Sequence, residues 1–201
     1  MKLYMSRNSP FSRKVFLWSH LLGCSEQIEF IDLSKSGVFI LPPNYELINP
    51  LRKIPALVTE DQQTFIDSPL ICDYLSRRFG YKKFLDENQD LTNLQFESVA
   101  DGISDAGVAR RLEQLREPHL RSSAADQHQT LKMMSGLSFF ESRSSQLKNP
   151  YDRGELALMC ALAYFDFRFP QQNWRSDFPR LQNWYEQCHG WEPFRNSKHG
   201  I

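Results

Sequence analysis

Asn49-Pro50-Leu51-Arg52-Lys53-Ile54-Pro55-Ala56-Leu57-Val58 is followed, after a short polar interval, by Phe65-Ile66-Asp67-Ser68-Pro69-Leu70-Ile71-Cys72-Asp73-Tyr74-Leu75. Residues 54–58 form an apolar run of strand length, and residues 64–66 are the natural partner across the polar turn at 60–63. Leu70, Ile71, Tyr74 and Leu75 then recur at helical spacing. The order is strand, strand, helix. Pro55 cannot donate to a sheet ladder, so it belongs at a strand start or an edge. If the peptide before it is cis, the Ile54 N–H and C=O turn outward and can pair with an extended peptide; the alternative is an ordinary strand-start proline.

Upstream, residues 2–6 read as a strand. Phe11, Val15, Trp18 and Leu22 follow at helical spacing, with Gly23 as the helix stop. Residues 27–33 read as a second strand. Residues 34–48, with Gly37 and Pro42-Pro43, read as loop with room for one helical turn. The first eighty residues therefore run β-α-β and then β-β-α, a complete α/β unit. Polar residues 80–90 read as a linker. Beyond them four amphipathic segments follow, at 91–117 (stopped by Pro118), 124–147, 152–169 and 178–189. The expected division is an α/β domain over 1–79 and an all-helical domain over 88–201.

Composition narrows the function. The chain has 201 residues with 24 basic and 24 acidic side chains, so the net charge is zero and an extended nucleic-acid surface is disfavoured. A chain of this length buries roughly 70% of its unfolded surface and needs no metal or disulfide staple. The longest apolar run, 156–165, falls well short of the roughly 18 residues of a membrane span. The 4 cysteines are scattered without a CxxC pair, and the 5 histidines form no ligand motif. Leu21-Leu22-Gly23-Cys24 imitates a lipoprotein cleavage box behind a weakly basic start. Ser19 and His20 interrupt its apolar stretch, and the expected location is the cytoplasm.

Two helix starts share one signature, Ser9-Pro10 and Ser68-Pro69. Serine is a favoured N-cap and proline a favoured first helical residue, so both serines could simply cap. If the two helices follow strands of one sheet, their N-termini instead offer a pair of anion sites near one sheet edge. A ligand with two separated anionic groups, one of them a thiolate, suits such a pair.

These two quoted runs resemble the central signature of cytosolic glutathione S-transferases, and Ser9-Pro10-Phe11-Ser12-Arg13-Lys14-Val15 resembles their active-site segment. Residues 100–107 and 156–169 are similar to a bacterial, YibF-like subgroup of that family. The resemblance implies a thioredoxin-like glutathione-binding domain followed by an all-α domain. It implies that Ser9 hydrogen-bonds the glutathione thiolate and that the Ile54 backbone pairs with the cysteinyl part beside a cis Pro55. It further implies that Asp67 takes the ammonium and Ser68 the carboxylate of the γ-glutamyl end, with Lys53 placed to meet the glycyl carboxylate.

By the same resemblance the protein is a homodimeric detoxification transferase. It uses glutathione as co-substrate and a small electrophile as acceptor, with no metal, nucleic acid or membrane partner. The electrophile pocket would draw on residues 6–8, 34–48 and 104–111. Ser9 and Ser12 stand where thiol–disulfide relatives carry cysteine, and a hydroxyl cannot form a mixed disulfide. Asp152 and Glu155 stand in the family's helix-capping positions and can still satisfy the helix start. Asp101 is a possible cross-dimer contact to glutathione, or else a paired surface group. Arg110 and Arg111 read as surface charges, with a pocket role as the alternative. Cys72 reads as core. The resemblance leaves two other functions open: a non-catalytic interaction module of the stringent-starvation type, and a glutathione-dependent peroxidase.

Overall fold

The computed structural model describes residues 1–34, 40–80, 91–149 and 151–199. Part of the 34–48 loop and nearly all of the 80–90 linker lie outside the described residues. The chain divides into two units, Leu91–Glu192 and the flanking remainder.

In the first unit, β1 (Lys2–Met5) leads into α1 (Pro10–Leu21), which crosses to β2 (Glu29–Asp32). β3 (Ala56–Val58), β4 (Thr64–Phe65) and α2 (Ser68–Arg78) follow. The sheet order is β2-β1-β3-β4. β1 and β2 are parallel, while β3 is antiparallel to both β1 and β4. The register Leu3↔Leu57 and Leu57↔Phe65 puts Leu3 and Leu57, both fully buried, side by side.

Val15, Leu17 and Trp18 of α1 and Ile71, Cys72 and Leu75 of α2 are also fully buried. Each large apolar side chain so buried contributes about 1.5–3 kcal/mol. The Trp18 indole N–H donates to the Cys72 carbonyl (3.2 Å) and the Ser76 hydroxyl (3.1 Å), which ties α1 to α2. Gly23 ends α1 as expected: at φ +70° its N–H donates to the His20 carbonyl, and the Cys24 N–H donates to that of Ser19. This pairing closes the orphan carbonyls of the last turn.

The second unit holds α3 (Leu91–Leu115), α4 (Ser123–Glu141), α5 (Arg153–Arg168) and α6 (Pro179–Cys188). α4 stops earlier than its apolar pattern, and a single turn at Ser144–Gln146 covers part of the remainder. Every residue of α5 from Arg153 to Phe165 is buried, which explains why this segment is apolar on all sides. Asp152 and Glu155 form a capping box at its start. Asn93 of α3 reinforces it, donating to Glu155 Oε2 (2.8 Å) and accepting from the Gly154 N–H (2.9 Å). A Cβ on Gly154 would lie 2.7 Å from Phe96 Cβ and 2.8 Å from the Asn93 carbonyl, so only glycine permits this approach of α3 and α5.

The short α7 (Glu192–Asn196) has no counterpart in the sequence pattern. The chain from Pro193 onward clusters with the first unit, whereas the expected division kept it in the helical domain. The cause is Arg13 of α1, 3% exposed, which donates to the Phe194 carbonyl and the Ser197 hydroxyl at 2.9 Å each. Its guanidinium also stacks 4.3 Å from the Phe194 ring. A buried guanidinium needs acceptors, and these residues supply them.

Candidate functional site

Register alone gathers the sequence-selected residues of the first unit at one end of its sheet. β3 begins beside the C-terminal end of β1, since Ala56 pairs with Tyr4. β4 runs antiparallel to β3 and therefore finishes at that same end. α1 leaves from the end of β1, Ile54-Pro55 enters β3, and Asp67-Ser68 leaves β4. Three neighbouring strands thus deliver Ser9, Ile54 and Asp67-Ser68 to a common edge.

Ser9 is the N-cap of α1 with Pro10 at its first position, and its Oγ accepts from the Ser12 N–H at 3.2 Å. Among the described residues the Ser9 hydroxyl donates to no acceptor, so its hydrogen remains available. No acidic side chain occupies the first turn of α1, which leaves the positive end of the helix uncompensated. Two further oxygens in this stretch, Asn8 Oδ1 and Ser12 Oγ, are buried without a hydrogen-bond partner.

The Ile54–Pro55 peptide is cis. The turn before it is held by residues the sequence reading did not select. The Lys53 carbonyl accepts from Asn49 Nδ2 (2.7 Å) and from the Tyr45 hydroxyl (3.0 Å). Asn49 Oδ1 accepts from the Leu51 N–H at 2.9 Å. Asn49 is 1% exposed and Tyr45 fully buried, and burial pushes the Tyr45 phenol well above its usual range, so it stays a donor. No local sequence pattern marks either residue, because their importance lies in a burial that only the fold creates. The Ile54 N–H and C=O make no hydrogen bond among the described residues, and the Lys53 side chain is exposed.

The second helix start differs from the first by one residue. Asp67, not Ser68, is the N-cap of α2, so Ser68 is its first helical residue and Pro69 its second. Ser68 therefore does not cap. The Asp67 side chain makes no capping bond either, although its carbonyl accepts the Ile71 N–H. An exposed carboxylate and a 1%-exposed hydroxyl stand together where the Ser68 and Leu70 N–H groups lack intrahelical acceptors.

The remaining candidates lie in the second unit. Asp101 is half-buried on α3, and Asp105 is exposed one turn further on. Arg110 is not a surface charge: it holds Asp126 through Nε at 3.1 and 3.2 Å and Gln172 at 2.6 Å, with its side chain 14% exposed. Arg111 has no ion pair among the described residues. All four cysteines are buried thiols outside any disulfide, Cys72 fully buried. Among the described residues no group of three His, Cys, Asp or Glu side chains could hold a metal ion. No described helix is long and apolar enough to cross a membrane.

Residues 8–78 match the glutathione S-transferase N-terminal domain, and residues 129–187 match the C-terminal domain of the same family. The chain is 31% identical to the uncharacterized GST-like protein YibF of Escherichia coli K12, over 98% of each chain. It superposes on a crystal structure of a glutathione transferase family member from Pseudomonas fluorescens Pf-5 with bound glutathione. That match has a TM-score of 0.89 and 28% identity, and covers 100% of this chain and 99% of the other. A second structure of a family member from that organism, with bound S-(propanoic acid)-glutathione, matches at a TM-score of 0.85 and 29% identity over 100% of each chain. The architecture is that of these enzymes, a small mixed sheet with its helices followed by a helical domain, and the chain belongs to the glutathione S-transferase family.

Proposed function

We propose that the protein is a glutathione transferase, binding the tripeptide along the sheet end of its first unit and conjugating it to a small electrophile. One observation carries this reading: Ser9, Ile54 and Asp67-Ser68 leave three adjacent strands at the same end. Strands lie about 4.8 Å apart, so three of them span about 10 Å. An extended tripeptide spans about the same distance. The relatives crystallised with bound glutathione support the choice of ligand.

In this reading the Ser9 hydroxyl donates its free hydrogen to the glutathione sulfur while the α1 N-terminus favours the anion. Both lower the thiol pKa and raise the fraction of nucleophile near neutral pH. The Ile54 backbone pairs with the cysteinyl residue. Ser68 and its N–H receive the γ-glutamyl carboxylate, Asp67 the ammonium, and Lys53 the glycyl carboxylate. The thiolate then attacks an electrophilic carbon, forming a C–S bond as a leaving group departs with its electron pair.

The protein acts as a cytoplasmic homodimer in this reading, with Asp101 of one copy reaching the ammonium bound by the other. Calorimetric titration with glutathione tests it. Saturable binding that weakens about tenfold or more in Asp67→Asn and Ser68→Ala is expected, since each loses a charge-assisted hydrogen bond. Absence of binding to the wild-type protein overturns it in favour of an interaction module.

A further inference from the structure

Three of the four strands deliver the site residues. The fourth, β2, ends in a chain of hydrogen bonds that the transferase reading leaves unused. The register sets Asp32, the last residue of β2, beside Met5, the last of β1, and the Leu33 N–H donates to the Met5 carbonyl at 2.8 Å. The segment 6–8 that leads from β1 to Ser9 therefore departs next to Asp32 and Ser34. Asp32 Oδ1 accepts from the Ser34 N–H (2.9 Å) and from the Ser34 hydroxyl (2.5 Å), and Arg7 Nε lies 3.3 Å from Asp32 Oδ2. Ser34 Oγ accepts from the Arg7 N–H at 2.8 Å and stands 3.0 Å from Ser6 Oγ, which accepts from the Asn8 N–H at 3.2 Å.

This chain has one possible direction. A carboxylate only accepts, so the Ser34 hydrogen goes to Asp32, and between the two hydroxyls Ser6 must donate. Asn8 N–H to Ser6, Ser6 to Ser34 and Ser34 to Asp32 then run in one sense, and bonds in series polarise one another. The same segment is held at two further points. The Arg7 carbonyl accepts from His199 Nδ1 at 3.0 Å, and the Ser9 N–H donates to the Ser6 carbonyl at 3.0 Å. Arg7 and Asp32 are exposed, and an ion pair there adds little stability. Water satisfies such peptide groups equally well. What water does not supply is a fixed orientation, and the next residue along the chain is Ser9.

We propose that Asp32 and Ser34 are positioning residues for Ser9, holding segment 6–8 so that the Ser9 hydroxyl meets the glutathione sulfur. This rests on the transferase reading and adds the fourth strand to it. The role differs from lining an electrophile pocket, which the resemblance implies for this stretch, and one measurement separates the two: only a residue acting through Ser9 moves the ionisation of bound glutathione.

The test follows the thiolate absorbance of bound glutathione against pH in the full-length wild type, in Ser34→Ala, Asp32→Ala, Ser34→Thr and Ser9→Ala, and in the Ser9→Ala/Ser34→Ala double variant. Ser34→Ala and Asp32→Ala are each expected to move the midpoint upward by about half a unit or more, about a threefold loss of thiolate below it. Ser34→Thr keeps the hydroxyl and is expected to keep the wild-type midpoint. In the Ser9→Ala background Ser34→Ala is expected to move it no further, since residues acting through one hydroxyl are not additive. Calorimetric affinity on the acid side of the midpoint is expected to stay within about twofold, because Ile54, Asp67 and Ser68 are untouched. Read without ligand, amide hydrogen exchange at Arg7 is expected to quicken in Ser34→Ala. Unmoved midpoints in Ser34→Ala and Asp32→Ala, an equal shift in both backgrounds, or unchanged exchange at Arg7 overturns the positioning role and leaves the transferase reading standing. A wild type that does not bind glutathione overturns both.

Discussion

The backbone N–H of Ser12 donates to Ser9 Oγ at 3.2 Å. The side chain at the head of α1 therefore accepts from its own helix and keeps its hydrogen for another acceptor. The two roles separate by mutation. Ser9→Ala removes the cap and is expected to cost about 1 kcal/mol, lowering the melting temperature by about 2–4 °C. Ser9→Asp restores an N-cap acceptor but carries no hydrogen to donate when ionised, so it recovers the stability without recovering conjugation. Thermal melts beside an aromatic-halide conjugation assay check both halves.

Asn49 positions the strand entry from within a loop. Asn49→Ala removes one of two donors to the Lys53 carbonyl and strands the Leu51 N–H, at an expected cost of about 1–3 kcal/mol. Tyr45→Phe removes only the other donor to that carbonyl and is expected to weaken glutathione binding less than Asn49→Ala does. Denaturant unfolding gives the stabilities and glutathione titration the affinities. Equal affinity in Asn49→Ala and wild type would remove Asn49 from the site's support.

Glu97 of α3 and Arg153 of α5 form an ion pair in which each side chain is about 5% exposed (5% and 4%). Breaking it from one side leaves a buried charge. Glu97→Gln and Arg153→Met are each expected to cost about 3–5 kcal/mol, with the double variant far less than their sum. Chemical denaturation of the four proteins in a double-mutant cycle measures the coupling.

Much of this fold was legible in the sequence because its signals are local. Ser9-Pro10 fixed one helix start, Gly23 its end, and Asp152 with Glu155 the capping box of α5. The gathering of site residues at one sheet edge needed only strand order and direction. What escaped was tertiary. Ser68-Pro69 repeats the Ser9-Pro10 signature, yet the cap there is Asp67, because chain exit from β4 and not the dipeptide sets where α2 begins. The return of the C-terminal residues depends on the buried Arg13, whose partners stand 181 and 184 positions away. Arg110 likewise looked like one of a pair of surface charges until Asp126 and Gln172 were folded against it.

The buried thiols set an alkaline limit. Burial raises Cys24 to about 11 and Cys188 to about 12 from a usual value of 9.0. The folded state thus holds protons that the unfolded chain releases. Their contribution to stability is full below about pH 9 and is lost progressively as pH rises from there toward 11 and 12. Cys24→Ala is expected to flatten the lower part of that decline in urea midpoints measured from pH 8 to pH 11. All four cysteines are buried and are expected to react with a thiol reagent at pH 8 only after unfolding.

The central claim is that Ser9 stabilises a glutathione thiolate held at the sheet end. Its most direct measurement is the thiolate absorbance of bound glutathione against pH, in wild type and in Ser9→Ala. A midpoint about one unit or more below that of free glutathione, moving back upward in Ser9→Ala, is the predicted result, each unit being about 1.4 kcal/mol of preference for the anion. A bound thiol that titrates as it does in free solution, or a lowered midpoint indifferent to Ser9→Ala, would contradict the account.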